Sequence, residues 1–273
     1  MQTLQAFYET NYKNNLFFDR KIIIEHKKTI LYGPRKSGKS HLIIDHIGHY
    51  EKGSYLYIDF SDDRVEPHLV AENLPLFIQK NRIKLLVIEH FDFSFELPIV
   101  DEILLTTSYS SHELEGYEKL TLYPLDFEEF ISFDKKHSNI ENLFNLYTNH
   151  GTFPQIVQSV ELDYQKQMQN LLHLILSDAT TFLIYKRFCE LQSTKISLFQ
   201  IYNHLKAFTK ISKDKLYAIT SELVDQKLLF FVEKYNQPTS AKKVYPIDFA
   251  LKDALTFKKD FLKRFENMVF LEL

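Results

Sequence analysis

One stretch limits what this chain can fold into more than any other: Gly33-Pro34-Arg35-Lys36-Ser37-Gly38-Lys39-Ser40. A glycine, four residues and then Gly-Lys-Ser is the Walker A pattern, which has a mechanism when a strand precedes it and a helix follows. Both are predicted here. Thr29-Ile30-Leu31-Tyr32 is a short apolar run that reads as a buried strand, and His41 to Tyr50 carries Leu42, Ile43, Ile44 and Ile47 at helical spacing. Gly33 and Gly38 let the backbone curl so that successive N–H groups face a phosphate. The helix opening near Lys39 adds the positive end of its dipole. Pro34, Arg35, Lys36, Ser37 and His41 complete the expected cradle. Lys39 is then placed to reach the β- and γ-phosphates, and the Ser40 hydroxyl to hold Mg²⁺.

The rest of the chain must accommodate that unit. Its 273 residues suffice for one large domain or two to three small ones, and 45% are apolar, enough for a packed core. A net charge of −3 excludes a strongly basic footprint, so any nucleic-acid contact has to come from a local patch. The lone cysteine, Cys189, cannot form an intrachain disulfide and reads as a small buried hydrophobe in a helical run. No apolar stretch approaches the ~20 residues of a membrane span, and residues 1–20 have no signal-peptide core. The expectation is a soluble, cytoplasmic protein without membrane contact. His41, His46 and His49 lack the spacing of a helical ligand pair and no cysteine joins them, so no protein-bound zinc is expected.

In order, residues 1–20 scatter Phe7, Tyr8, Tyr12, Phe17 and Phe18 among polar residues, as a helix and loop would. Lys21 to Glu25 is either a helix end or an extra strand. Tyr55 to Phe60 is a second predicted strand, followed by the polar loop Ser61-Asp62-Asp63-Arg64. In an open α/β sheet that end faces the ligand crevice, so Asp59, Asp62 and Arg64 are either near a nucleotide or simply turn-formers with a surface arginine. Residues 66–80 read as helix. Ile83 to Ile88 is nearly all apolar, as a central parallel strand should be, and it ends in Glu89-His90. An apolar strand ending in an acid is the Walker B pattern, which makes Glu89 the second candidate for the Mg²⁺ shell.

Ile103 to Ser108 reads as the next strand, ending in hydroxyl residues. Thr107 or Ser108 can face a γ-phosphate or cap the following turn. Leu120 to Tyr123, before Pro124, is a fifth strand, so the fold class is α/β with a parallel sheet and crossovers. Phe127 to Phe133 begins a helical region, and residues 140–176 hold two more helices broken at Gly151-Thr152-Phe153-Pro154. Thr181 to Leu191, Leu198 to Phe208 and Lys213 to Lys227 are three short helices. Leu228 to Lys234, the turn Asn236-Gln237-Pro238-Thr239-Ser240 and Val244-Tyr245 then make a hairpin. Three helices and a hairpin describe a winged helix. Lys210, Lys213, Lys215, Lys242 and Lys243 are either a DNA-phosphate patch on it or a solvated lysine face on a domain used for protein contacts. A last helix runs from Lys258 to Leu273.

Several stretches carry a resemblance when taken together: GPRKSGKS, YLYIDFSDDRV, LLVIEH, ILLTTSYS, LTLYPLDFEEFI, GTFPQIV and ENMVFLEL, in that order. The chain resembles the bacterial and archaeal AAA+-type P-loop ATPases that carry a helical lid, a winged helix and then a C-terminal domain similar to restriction-endonuclease folds. The resemblance covers almost the whole chain, and Leu122 to Phe130 is its most distinctive part. It implies a sheet in the order 5-1-4-3-2 and binding of ATP or ADP with Mg²⁺. It also implies a nucleotide domain over residues 1–125, a lid over 126–178 and a winged helix over 179–250. Residues 251–273 would then lead to a further domain, so that the chain is either naturally short or a piece of a longer one.

Two positions depart from the family pattern. Its Walker B strand usually ends in Asp-Glu, where this chain has Glu89-His90, and Gly116-Tyr117 stands where Gly-Arg is usual. Glu89 can still hold the metal. His90 replaces the carboxylate that polarises the attacking water, a role worth ~10²–10⁴-fold in rate, and Tyr117 supplies no cation to the transition state. Lys39, Glu89 and His90 are therefore the catalytic candidates, with Glu96 and Glu102 as the next carboxylates along the chain. Two functional readings stay open. One is a slow Mg²⁺-dependent ATPase. The other is a nucleotide-gated binding or regulatory module with little turnover, contacting DNA or protein through the winged helix.

Overall fold

A computed structural model describes residues 1–12, 19–134, 138–159, 163–176, 178–237 and 240–273. Phe17, Phe18 and the Pro238-Thr239 part of the expected turn lie outside the described residues. The chain forms two compact units, one of residues 1–33 and 38–123 and one of residues 34–37 and 124–273.

The first unit runs α1 (Gln2–Glu9), β1 (Lys28–Tyr32), α2 (Lys39–Ile47), β2 (Tyr55–Asp59), α3 (Pro67–Asn81), β3 (Leu85–Glu89), β4 (Glu102–Thr107) and β5 (Glu118–Thr121). The five strands make one sheet in the order β2-β3-β4-β1-β5, with every pairing parallel. Strands of a parallel sheet are buried on both faces and read as unbroken apolar runs. Accordingly, all five residues of β3 are buried. On one face Leu42, Ile43 and Ile47 of α2 pack on Leu31, Tyr55, Tyr57, Leu85, Val87 and Leu104. On the other face α1 and α3 pack, through Leu4, Val70, Leu74 and Phe77, on Ile30, Ile58, Ile88 and Leu105.

Two parallel connections depart from the usual crossover, which lays a helix on the sheet. Residues 90–101 and 108–117, all described, contain no helix. Phe91, Phe93, Phe95 and Leu97 of the first and Leu114 and Tyr117 of the second supply the apolar cover instead. The fifth strand begins earlier than its apolar residues suggest. Pairing with Thr29–Tyr32 selects Glu118–Thr121, while Leu122 donates its amide to the Tyr32 carbonyl at 2.8 Å and is fully buried beyond the strand. Lys21 to Glu25 forms neither a helix nor a strand. Ile22 and Ile24 lie against the α2-side core.

The second unit runs α4 (Phe127–Ser132), α5 (Ile140–His150), α6 (Pro154–Val157), α7 (Tyr164–Ile175), α8 (Ala179–Glu190), β6 (Lys195–Ile196), α9 (Leu198–Lys206), α10 (Lys213–Asp225), β7 (Leu229–Val232), β8 (Lys242–Pro246), α11 (Leu251–Leu255) and α12 (Phe261–Glu272). Its helices are marked by side-chain caps. Asp126 and Glu129 close a reciprocal capping box on α4, and Ser197 and Gln200 close another on α9. Asn139, Asp163, Asp178, Ser212 and Asp260 cap α5, α7, α8, α10 and α12. The strands pair antiparallel in the order β6-β8-β7. The main core gathers α7 to α11, with Tyr185, Phe188 and Cys189 fully buried. Residues 140–176 hold three helical pieces rather than two, because Pro154 opens the four-residue α6 after the Gly151 turn.

Three of the stretches behind the family resemblance meet here. Gly151 has φ of 78°, and a Cβ on it would lie 2.3 Å from the Asp248 carboxylate. Asp248 is completely buried and accepts from the Thr152 amide at 2.6 Å, the Thr152 hydroxyl at 2.9 Å and the Ala250 amide at 2.7 Å. Burial raises its pKa against those hydrogen bonds. Glu272 of α12 accepts from the Tyr147 hydroxyl and, at 3.1 Å, from the Phe127 amide at the start of α4. Among the described residues no helix is long and apolar enough to cross a membrane.

Candidate nucleotide site

The loop after β1 has the backbone its glycines suggest. Gly33 and Gly38 have positive φ of 152° and 103°, which glycine adopts without the Cβ penalty, and Lys36 between them is at 69° despite its Cβ. Gly38 is the N-cap of α2, and its carbonyl accepts the Leu42 amide at 3.1 Å, the first turn of the helix. A helix N-terminus presents amides and the positive end of its dipole. Lys39 is buried to 7% exposure, and its ammonium donates to the Gly33 carbonyl at 2.7 Å, folding the side chain back along the loop. Ser37 is buried, Ser40 half-buried, and Arg35, Lys36 and His41 exposed.

The far side of the site is built by strand register. Asp59 ends β2 directly opposite Glu89, which ends β3. Side chains alternate along a strand, so Glu89 shares a face with Val87 and Asp59 with Tyr57, both in the core covered by α2. Glu89 is 2% exposed and accepts a hydrogen bond from the Tyr57 hydroxyl. Burial, first, and the neighbouring carboxylate, second, push the Tyr57 phenol well above its ordinary pKa, so it stays a donor.

His90 follows at φ of 56°. Its amide donates to the Thr106 hydroxyl at 3.0 Å, and its ring Nδ1 lies 3.0 Å from Asp59 Oδ1. The same oxygen accepts from the Ser61 amide at 2.8 Å and the Ser61 hydroxyl at 2.7 Å. Burial raises the Asp59 carboxyl, but the hydrogen bonds from His90 and Ser61 outweigh it and leave the group below its usual value.

Other candidates are placed elsewhere. Thr107 has the parity of Ile103 and Leu105, which face away from α2. Its hydroxyl meets His112 Nδ1 at 3.0 Å and accepts the Tyr109 amide at 3.2 Å, the turn-capping alternative. Thr106 is the hydroxyl on the α2 face, because it has the parity of Leu104, which the sequence does not show. Asp62 pairs with Arg64 at 2.6 Å, which lowers its pKa to about 2. Glu102 starts β4, at the opposite end of the sheet from Glu89, and accepts from the Tyr50 hydroxyl at 2.6 Å. It is no alternative base. Tyr117 packs on the core away from α2, with the Lys28 ammonium 5.7 Å from its ring centroid.

No protein-family model matches the chain. An uncharacterized protein of Methanocaldococcus jannaschii is 27% identical over 299 residues, covering 92% of this chain and 67% of that one. The Walker-type ATPase of Pyrococcus abyssi superposes with a TM-score of 0.55 at 14% identity, over 83% of this chain and 90% of that chain. The fold is therefore similar to that of a Walker-type ATPase. The Aeropyrum pernix Orc1 protein in complex with DNA gives a TM-score of 0.35 at 13% identity, over 86% and 87% of the two chains, too low to carry an argument.

The donor set fits a magnesium nucleotide. An ammonium and a glycine-capped helix N-terminus suit phosphate oxygens. The Ser40 hydroxyl and the Glu89 carboxylate are the oxygen ligands a hard cation prefers. A carboxylate 2% exposed whose hydrogen-bond donor is a neutral phenol is a group that a cation would complement.

Proposed function

We propose that this chain binds ATP or ADP with Mg²⁺ in the manner of an AAA+-type ATPase and turns ATP over slowly or not at all. The observation that carries the reading is the convergence on one face of the sheet of Gly38-capped α2, with Lys39 folded along its loop, and buried Glu89. In this reading Gly33 to His41 hold the phosphates, and Ser40 and Glu89 hold the metal. Mg²⁺, when bound, offsets phosphate charge. The position that usually orients water is a histidine whose Nδ1 is engaged by Asp59, so the geometry supports binding more strongly than turnover.

The strand order read from its other edge, 5-1-4-3-2, supports the same assignment. Residues 1–125 would be the nucleotide domain, 126–178 the lid and 179–250 a winged helix, in a cytoplasmic protein. The test measures thermal unfolding with and without Mg²⁺-ATP and phosphate release on the same sample. A melting temperature unmoved by nucleotide would refute binding, and brisk phosphate release would refute slow turnover.

A second reading, DNA contact by the winged helix, is favoured by one observation. The Lys213 ammonium lies 5.4 Å from the Phe199 ring centroid and 5.9 Å from that of Tyr217, and both rings are exposed. Exposed aromatics interleaved with lysines suit nucleic acid. Lys242 and Lys243 support it less, because they pair with Glu233 and Glu266. Salt-dependent DNA binding tests it, and none at low salt would leave this face to protein contacts.

A further inference from the structure

The two helix-free crossovers, residues 90–101 and 108–117, leave a cleft between them on the sheet face away from α2. Its volume is about 540 Å³, within the ~300–1,000 Å³ range of ligand-sized sites. Phe91, Phe93, Phe95 and Tyr117 supply aromatic walls, and Glu96 and Glu115 line the same space. Phe91, 2% exposed, is a fixed floor. Phe95 stands edge-on to it, with centroids 5.2 Å apart at 81°, and Phe93 is tilted by 47° at 4.8 Å. Rings turned against one another present π faces as well as edges, and the faces carry partial negative charge.

The two segments that line the cleft carry full charges of one sign only. The fully charged side chains of the two crossovers are Asp92, Glu96, Asp101, Glu113 and Glu115, with no lysine or arginine among them. The whole chain is nearly balanced, with 33 basic and 36 acidic residues, so the asymmetry is local. Glu113 pairs with Lys119 at 3.1 Å, whereas Glu96 and Glu115 are exposed at the cleft itself. At the cleft's own Tyr117 a contact of the relevant class is already made, with the Lys28 ammonium 5.7 Å from the ring centroid.

We propose that this cleft is a docking site for an arginine side chain carried by a partner polypeptide. Aromatic faces beside carboxylates select a cation, and they select guanidinium over ammonium. Guanidinium is planar, weakly hydrated and able to stack on a ring, and its fork of N–H donors matches a carboxylate. A lysine would gain the charge but not the stacking. A polypeptide is the fitting carrier because the cleft lies where a crossover helix normally covers the sheet. A partner segment can lie there with one side chain in the cleft. The site is separate from the phosphate loop and does not depend on the nucleotide reading.

The test uses the full 273-residue chain and a short fluorescein-labelled peptide alternating arginine and leucine, followed by anisotropy at low salt. Two companion peptides replace arginine by lysine or by uncharged citrulline. The expected order of affinity is arginine, lysine, citrulline. Glu96→Gln with Glu115→Gln should weaken the arginine peptide by about tenfold. Both glutamates are exposed, so the melting temperature should not move. Phe93→Leu should weaken the arginine peptide more than the lysine peptide, and Lys39→Ala should leave both unchanged.

Equal binding of the citrulline peptide would show an apolar groove without cation selectivity and overturn the proposal. So would no binding, or binding indifferent to the glutamate pair. If the chain self-associates and the peptide disperses it, the occupant is a second copy and the partner assignment falls.

Discussion

The phosphate loop and the end of β3 are two halves of one candidate site, built on different principles. The loop is local. Gly33, Gly38, Lys39 and α2 follow one another in the chain, and their geometry comes from backbone φ values and one short side-chain contact. The β3 end is assembled across strands. Glu89 is held by Tyr57 and His90 by Asp59, from positions 32 and 31 residues away. The local half keeps the residue types of the Walker A pattern, while the assembled half ends in Glu89-His90. On the proposed reading, binding and turnover are separable in this fold, the first resting on the loop and the second on residues that neighbouring strands bring together.

The sharpest way to break that comparison is His90→Glu. If His90 is what limits turnover, the variant should raise kcat by up to ~10²–10⁴-fold with little change in nucleotide affinity, since the group acts in the transition state. The left-handed backbone at residue 90 costs any side chain with a Cβ about 1–2 kcal/mol, a cost the wild-type histidine already bears, so the substitution adds little strain. Unchanged phosphate release in both His90→Glu and His90→Ala would place the water-orienting group elsewhere.

Next in size is Lys39→Ala. On the proposed binding, nucleotide at a hundredfold excess over Kd should stabilise the wild type by ~2.7 kcal/mol, and the variant should lose that shift entirely in a thermal melt. Retention of the shift would dissolve the distinction between the two halves, because the local half would no longer be the binding half.

Tyr57→Phe sharpens the assembled half. It leaves the Glu89 carboxylate buried without its phenol donor, and denaturant unfolding should show a loss of about 1–3 kcal/mol. Mg²⁺-nucleotide should recover part of the loss if Glu89 meets the metal. Recovery equal to that of the wild type would separate Glu89 from metal binding.

The smallest effect belongs to Lys243→Met. Its partner Glu266 is raised by burial but ends below its ordinary pKa through the Lys243 and Tyr245 hydrogen bonds. A depressed carboxyl contributes stability above its unfolded pKa and loses it as pH falls through the folded value. Removing Lys243 should cost at most ~1 kcal/mol, measured by denaturant titration at neutral pH and vanishing in acid. A loss that persists at low pH would mean the lysine acts through packing.

How far the sequence could be read follows the same division. The loop, α2 and the parallel strands were legible because each is a local pattern of apolar run or spacing. The strand ends were not. An all-apolar strand hides its own parity, so Thr107 was the visible hydroxyl and Thr106 the one that faces α2. Tyr57–Glu89 and Asp59–His90 need the β2–β3 register before they exist as pairs. The two-residue β6 and five-residue α11 are too short for periodicity to mark. Gly151 was visible as a break, and its reason, a carboxylate nearly a hundred positions downstream, was not.

That distance has a consequence for the order in which the protein can be made. Thr152 waits for a partner 96 residues later in the chain, and Tyr147 for one 125 residues later. At ~5–20 residues per second of synthesis, α4 and α5 spend on the order of ten seconds outside the ribosome before Glu272 arrives. Tyr147 lacks Glu272 throughout that interval, and the Gly151 turn lacks Asp248 for most of it. Ribosome-stalled chains that stop before Phe261 should be cut readily by protease near Tyr147, and chains carrying an exposed α12 should resist. In this unit the rate of elongation, rather than the speed of any helix, sets when the native state can first close.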